Sequence, residues 1–96
     1  MGGRDRAAQS VRELILDPSA LEDLRWWFKT DKRAASRILQ LLQETLREPF
    51  AGKGKPEALK FDLSGCWSRR INLEHRLVYE VTDSHIRVLS CRYHYR

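Results

Sequence analysis

The end of the chain carries residue types that suit proton transfer on RNA. It reads Cys91-Arg92-Tyr93-His94-Tyr95-Arg96, and no acidic side chain occurs from Arg87 onward. An imidazole titrates near neutral pH, so His94 can act as a general acid. The rings of Tyr93 and Tyr95 can stack on bases or position a phosphate. The alternative is a terminal histidine that is merely exposed.

Glu57 is a candidate for the base that metal-free RNA cleavage requires. Such cleavage needs a base for the 2′-hydroxyl proton, an acid for the leaving 5′-oxygen and cations for the charged phosphorane. Glu57 follows Lys55 at a predicted loop-to-strand junction and precedes Lys60. These neighbouring cations favour the ionised carboxylate that a base must be. The alternative is a solvated loop residue.

Arg76 is the candidate for binding the phosphate. It is predicted on the polar face of a strand, where a guanidinium could bind a phosphate through two hydrogen bonds. The alternative for Arg76 is a cross-strand ion pair with Glu74 or Glu80. Additional positive potential would come from Lys60, Arg69 and Arg70.

The other histidines and the tryptophans are expected to have structural roles. His75 and His85 lie in or beside predicted turns and are expected to be merely exposed. Trp26, Trp27 and Trp67 are expected to be core or interface anchors and not platforms for bases. Trp26 and Trp27, with the long second helix, also form the predicted homodimer surface.

The composition predicts one small domain. A chain of 96 residues with 42% hydrophobic content can bury one modest core, which we place in residues 11–96 after a flexible extension at 1–10. A net charge of +5 favours an anionic partner, nucleic acid above all. Cys66 and Cys91 match no metal-ligand spacing, so a reduced cytoplasmic protein without metal is expected. No apolar run approaches the roughly 20 residues of a membrane helix.

The hydrophobic pattern predicts an α+β fold. Leu14-Ile15-Leu16 suggests a first strand, and Ser19 with Glu22 has capping-box spacing at the start of a helix. The apolar faces of the two predicted helices are Leu21, Leu24 and Phe28 in the first, and Ala35, Ile38, Leu39, Leu42 and Leu46 in the second. The second helix runs from Thr30 to about Glu48, and residues 49–56 form a loop. Four strands in an antiparallel meander follow, at about 59–63, 66–73, 76–82 and 86–91.

Four ordered blocks of this chain resemble the YoeB toxin family. They are Pro49-Phe50-Ala51-Gly52-Lys53-Gly54-Lys55-Pro56-Glu57, Leu63-Ser64-Gly65-Cys66-Trp67-Ser68-Arg69-Arg70-Ile71, Glu74-His75-Arg76-Leu77-Val78-Tyr79 and Cys91-Arg92-Tyr93-His94-Tyr95. Thr30-Asp31-Lys32-Arg33 matches as well. The resemblance implies a RelE-like fold, with a twisted antiparallel sheet packed against two N-terminal helices.

The same resemblance implies a function. Toxins of this family enter the ribosomal A site of the 70S ribosome and cleave the mRNA codon there as metal-independent endoribonucleases. The implied partner is a YefM-like antitoxin, which masks the active site, and operator DNA is bound only through the antitoxin complex. The implied setting is the bacterial cytoplasm, with no cofactor, no membrane and a homodimeric toxin.

The resemblance also assigns roles by position. Glu57 matches the family's general base, Arg76 its phosphate-stabilising arginine, His94 its general acid and Tyr95 its terminal catalytic tyrosine. The predicted RNA contacts are Lys55, Lys60, Arg69, Arg70, Arg92 and Tyr93. Arg96 departs from the family pattern, because members commonly end at the tyrosine.

Two rival functions remain open. The same basic fold could inhibit translation by occupying the ribosome without cutting RNA. A DNA-binding regulator is the other, but the sequence lacks a convincing helix-turn-helix. A variant that lacks both the base and the acid separates catalysis from occlusion.

Overall fold

The molecule has two helices and five strands. A computed structural model describes residues 12–93. In chain order the elements are β1 (Glu13–Leu16), α1 (Pro18–Thr30), α2 (Lys32–Arg47), β2 (Glu57–Ala58), a 3-10 turn (Phe61–Leu63), β3 (Cys66–Arg70), β4 (Arg76–Val81) and β5 (His85–Ser90). The predicted α+β architecture, a strand followed by two helices and a meander, is confirmed.

The sheet is mixed, whereas the sequence predicted an antiparallel one. The strand order is β1-β5-β4-β3-β2, and the four later strands pair antiparallel as predicted. The first strand pairs parallel to the last, with Leu14 opposite Ile86. A parallel pair needs a long crossover, which here comprises both helices and the rest of the meander. A short apolar run such as Leu14-Ile15-Leu16 does not encode strand direction.

The predicted capping box of the first helix is wrong. Asp17 is the N-cap residue and Pro18 occupies the first turn, where its missing N–H costs nothing. The Ser19 hydroxyl donates to the Leu89 carbonyl at 2.8 Å and ties the helix to β5. The second helix does have a side-chain cap, because Asp31 accepts a hydrogen bond from the Ala34 N–H at 3.1 Å.

The buried face of α1 is rotated around the helix axis from the predicted face. Ala20 and Trp27 are buried and Leu24 packs against them, whereas Leu21 and Phe28 are 50% and 44% exposed. Both stripes include Leu24 and both fit the helical period, so spacing alone could not choose between them. In α2 the predicted Ala35, Ile38 and Leu42 are buried, Leu46 is partly buried, Leu41 joins them, and Leu39 is exposed.

The predicted strand at 59–63 is also wrong. The two-residue β2 ends before it at Ala58, and the 3-10 turn occupies its second half, because Phe61 has a φ of +59° that no strand residue adopts. Leu59 turns inward and packs with Cys66 and Val78. This small cluster lies on the sheet face opposite the helices, whose own core includes Leu77 and Tyr79.

Within residues 12–93, neither helix has the length and apolar character needed to cross a bilayer.

Candidate functional site

Three of the predicted site residues share the sheet face that points away from the helices. Glu57 is paired with Ser68, and Arg70 with Arg76. Directly opposite residues of an antiparallel pair lie on the same face, as do residues two apart along one strand. Glu57, Arg70 and Arg76 therefore extend from one surface. Strand spacing puts the Cα atoms of Glu57 and Arg76 roughly 12 Å apart, within the combined reach of their side chains and a nucleotide.

Glu57 is exposed on the edge strand of the sheet. Lys55 and Lys60 flank it and are exposed as well. The ion pairs found among residues 12–93 do not include Glu57, so no described cation neutralises this carboxylate. A cleft of about 420 Å³ is lined by residues 57–63, including the side chain of Phe61, which is 91% exposed. The carboxylate is thus accessible to a large ligand.

Arg76 is half-buried at the start of β4. Its Nη1 donates to the carbonyls of Asn72 at 3.1 Å and His75 at 3.2 Å, both in the turn that precedes the strand. In the described part of the chain, neither of the alternative ion pairs with Glu74 or Glu80 is present. The turn therefore orients the Arg76 guanidinium, which forms no ion pair with a carboxylate of the described residues.

Arg70 and Arg76 form a cross-strand pair of like charges. Arg70 is exposed at the end of β3, directly opposite Arg76. Like charges in this position repel each other and destabilise a sheet. A phosphate bound between two guanidiniums would remove the repulsion and accept several charge-assisted hydrogen bonds. This pair is the clearest indication in the described residues that the surface binds an anion.

Arg69 does not belong to this surface, which corrects its predicted role as an RNA contact. Its side chain is 0% exposed and lies on the helix side of the sheet. Nε donates to the Tyr79 hydroxyl at 3.0 Å, and Nη1 donates to the Lys53 carbonyl at 2.7 Å. Nη2 donates to the carbonyls of Glu48 and Ala51. Arg69 fixes the loop at 49–56, which leads to Glu57.

The segment that precedes His94 is held against α1 and the start of β4. The Cys91 N–H donates to Asp23 Oδ2 at 3.1 Å, and the Cys91 carbonyl accepts from Trp27 Nε1 at 2.7 Å. The Tyr93 N–H donates to His75 Nδ1 at 2.6 Å. We call Asp23, Trp27 and His75 the tail anchor. It directs Tyr93 toward Arg76, whose own N–H donates to the Tyr93 carbonyl at 2.9 Å.

The predicted RNA contacts Arg92 and Tyr93 differ in exposure. The Arg92 guanidinium lies 3.6 Å from the centroid of the Trp26 ring and donates to the Tyr93 hydroxyl at 2.8 Å. Tyr93 is 54% exposed, so its ring is accessible to a base. The predicted acid His94 and the predicted Tyr95 lie outside the described residues, as does Arg96.

Two expectations about aromatic residues are wrong. His75 was expected to be exposed, but it is only 9% exposed and its ring packs edge-on against Trp27 at 4.8 Å. Trp27 is 3% exposed, so it cannot contribute to the homodimer surface predicted from it, whereas Trp26 is half-buried beneath Arg92. The expectation that Trp27 is a core anchor is confirmed.

Two members of the tail anchor, Asp23 and His75, were missed because they carry no sequence signal. Asp23 appears as one more charged residue on an amphipathic helix, and His75 as one more turn residue. Their partners are backbone groups 68 positions away for Asp23 and 18 positions away for His75. Only the fold brings them together.

The cysteines are buried thiols. Burial raises the pKa of Cys91 to about 12, and the Asp23 carboxylate adds to this shift. Burial likewise raises the pKa of Cys66. Thiols that hold their protons so firmly are poor nucleophiles at neutral pH. They fill the two cores that support the surface.

Comparison with known proteins agrees with this architecture. A family described as YoeB-like toxin of bacterial type II toxin–antitoxin system matches residues 16–95. Toxin YoeB of Escherichia coli K12 is 53% identical over 83 residues, which are 86% of this chain and 99% of that protein. The YoeB dimer of Staphylococcus aureus superimposes with a TM-score of 0.80 at 46% identity, covering 88% of this chain and 98% of that one.

A second structure, the YoeB–YefM complex of Staphylococcus aureus, superimposes with a TM-score of 0.78 at 45% identity, covering 88% of this chain and 98% of that chain. The fold and the match over residues 16–95 thus define a toxin of a bacterial type II toxin–antitoxin system. Within that class, the chain belongs to the YoeB-like toxin family. The RelE-like fold and the family resemblance inferred from the sequence are both confirmed.

Proposed function

We propose that this toxin is a ribosome-dependent endoribonuclease that cleaves mRNA in the A site without a metal ion. The observation that carries the proposal is the opposition of Arg70 and Arg76 on the face that also bears Glu57. A carboxylate and two guanidiniums are the base and the cations that cleavage by the 2′-hydroxyl requires. The exposed Tyr93, which precedes His94 in the sequence, accepts a backbone hydrogen bond from Arg76.

In the proposed reaction, Glu57 removes the proton of the 2′-hydroxyl as that oxygen attacks the adjacent phosphorus. Arg76, assisted by Arg70, binds the equatorial oxygens of the phosphorane, where negative charge develops. The new O2′–P bond forms as the P–O5′ bond breaks, and His94 donates a proton to the leaving 5′-oxygen. The products are a 2′,3′-cyclic phosphate and a 5′-hydroxyl.

The remaining predicted residues have supporting roles in this proposal. Lys55 and Lys60 are exposed beside Glu57 and add positive potential for the RNA backbone. Tyr93 stacks on a base, Arg92 supports that ring through its hydroxyl, and Tyr95 completes the site as the family's terminal tyrosine. Arg69 acts indirectly, by holding the loop before Glu57.

The partners of the toxin follow from its relatives. The Staphylococcus aureus complex of YoeB with YefM supports a YefM-like antitoxin, and the dimer supports a homodimer in solution. Operator DNA would be bound only through the antitoxin complex, and mRNA and the ribosome would be met in the bacterial cytoplasm. A chain that sediments as a monomer at tens of micromolar, on the order of ordinary dimer affinities, would contradict the homodimer.

The decisive experiment is primer extension on mRNA programmed into purified ribosomes with a defined A-site codon. Wild type should cleave within that codon only when ribosomes are present, and Glu57→Gln and His94→Gln should each abolish the cut. Matched controls are Glu22→Gln, which removes an exposed carboxylate on α1, and His85→Gln on β5. Both controls should cleave like wild type.

The same assay tests the rival functions. If a Glu57→Gln, His94→Gln double variant binds ribosomes and halts translation as strongly as wild type, the toxin is an occluding inhibitor and the nuclease proposal is wrong. Binding of operator DNA by the isolated chain would favour the regulator. Codon-specific cleavage that is lost in both single variants would establish the base and the acid.

A further inference from the structure

Tyr93, the last described residue of the chain, is held at both of its backbone groups by neighbours at the start of β4. Its N–H donates to His75 Nδ1 at 2.6 Å, and its carbonyl accepts from the Arg76 N–H at 2.9 Å. His94 is the next residue in the sequence. The backbone that leads into the proposed acid is therefore fixed by His75, which precedes β4, and by Arg76, which begins β4 and is the proposed phosphate ligand.

The contact with Tyr93 defines the tautomer of the neutral His75 ring. A backbone N–H can only donate, so Nδ1 must present its lone pair and the neutral ring carries its proton on Nε2. The ring cannot turn away, because it packs edge-on against Trp27 at 4.8 Å and beside Tyr93 at 5.4 Å. The His75 N–H also donates to Asn72 Oδ1 at 2.9 Å. His75 is thus a fixed, well-oriented acceptor.

Tyr93 needs such an acceptor to keep its backbone conformation. Its φ is +64°, in the left-handed region that a residue with a Cβ atom adopts only under constraint from its surroundings. If the bond to His75 were lost, Tyr93 could relax to a negative φ. That rotation would move the Tyr93 carbonyl away from the N–H of Arg76, the proposed phosphate ligand.

We infer that His75 is a positioning residue for the proposed cleavage: its Nδ1 holds Tyr93, which precedes the proposed acid in the sequence, in its strained conformation beside Arg76. The inference rests on the proposed function. His75 is buried, so it acts through the Tyr93 backbone and does not touch RNA.

Two substitutions separate this role from simple packing. His75→Phe keeps an aromatic ring against Trp27 but has no acceptor. His75→Asn loses the ring packing but places an amide oxygen near the position of Nδ1. Packing alone would make the phenylalanine variant the more stable and the more active of the two. Positioning predicts that activity and stability rank the variants in opposite orders.

The first measurement is single-turnover cleavage on programmed ribosomes at saturating toxin, together with ribosome affinity and thermal stability. His75→Phe should lose about tenfold in cleavage rate, the equivalent of one hydrogen bond, with unchanged affinity. His75→Asn should stay within about threefold of wild type although it melts at a lower temperature. Cleavage rates that follow the melting temperatures would overturn the inference.

The second measurement does not depend on catalysis. Hydrogen exchange of the Tyr93 amide, followed by NMR, should be slow in wild type and in His75→Asn and clearly faster in His75→Phe. Equal protection in wild type and His75→Phe would overturn the inference, whatever the cleavage rates. If wild type does not cleave at all, the proposed function fails. Cleavage by wild type that His75→Phe leaves unchanged overturns the positioning role alone.

Discussion

Arg70 and Arg76 lie directly opposite each other on β3 and β4, and their side chains extend from the same face of the sheet. Sheets generally avoid like charges in this position because the pair destabilises the folded state. The arrangement is nevertheless present in this small domain. An anion bound between the two guanidiniums would relieve this repulsion. The destabilisation that the free protein carries therefore favours binding of an anion.

Replacing Arg70 with Gln should therefore stabilise the fold while weakening function. The free energy of unfolding should rise by about 0.5 kcal/mol at low salt, because a cross-strand repulsion is removed. The gain should shrink in about 0.5 M salt, which screens exposed charges. Urea denaturation at both salt concentrations measures the change, and primer extension should show slower cleavage. A lower stability at low salt would contradict the proposed repulsion.

Arg76→Lys should slow cleavage without affecting the fold. Lysine keeps the charge but loses the planar pair of donors that binds two phosphate oxygens. The loss of one charge-assisted hydrogen bond in the transition state corresponds to a decrease of about tenfold to hundredfold in rate. Arg25→Lys, on the exposed side of α1, is the matched control and should cleave like wild type. Equal rates for the two variants would remove Arg76 from the mechanism.

Arg69→Met should destabilise the protein far more than the same change at Arg70. It would leave the carbonyls of Glu48, Ala51 and Lys53 without their buried donor. The expected loss is about 3 kcal/mol or more in the free energy of unfolding, measured by urea denaturation. Arg70→Met, on the exposed face, should not be destabilised in the same way.

A companion variant tests one contact of that network. Tyr79→Phe removes only the hydroxyl that accepts from Arg69 Nε at 3.0 Å and donates to the Pro49 carbonyl at 2.8 Å. It should cost about 1 to 2 kcal/mol. If Arg69→Met were no more harmful than Tyr79→Phe, the backbone carbonyls would not depend on the guanidinium.

Arg69 and Arg70 also show what the sequence could predict and what it could not. Residue types and family resemblance made Glu57 and Arg76 candidate site residues, and strand alternation was enough to put Arg76 on the face away from the helices. Alternation also requires that one of two consecutive arginines points inward. A charged residue is so rarely buried that both were assigned to the surface. The loop carbonyls that make burial of Arg69 favourable are a tertiary feature.

The other differences have similar causes. Leu21 and Trp27 fit the helical period equally well, so the buried stripe of α1 depended on the sheet beneath it. The strand predicted through Phe61 failed because the left-handed backbone at that residue is not encoded by its type. The sequence predicts His75 as an exposed turn residue, because its buried contact with Tyr93 depends on the folded tail. Local pattern predicted most of the elements, and packing decided which faces they bury.

The final prediction concerns alkaline pH and Cys91. Burial, with a contribution from Asp23, raises the pKa of this thiol from its ordinary 9.0 to about 12 in the folded protein. The unfolded chain loses that proton above pH 9, whereas the folded chain keeps it. The contribution of the protonated Cys91 thiol to the free energy of unfolding is therefore fully present below pH 9. It is lost as the pH rises toward the folded pKa of about 12.

The measurement is urea denaturation at pH 8 and pH 10.5 for wild type and Cys91→Ala. Wild type should lose about 2 kcal/mol more than the variant between these two pH values, because only wild type has this buried thiol. The pKa values of Cys66 and Tyr79 are also raised by burial, but these residues are present in both proteins and cancel in the comparison. Parallel losses in the two proteins would mean that Cys91 ionises equally well folded and unfolded. That result would contradict its enclosure between Ala20 and the tail anchor.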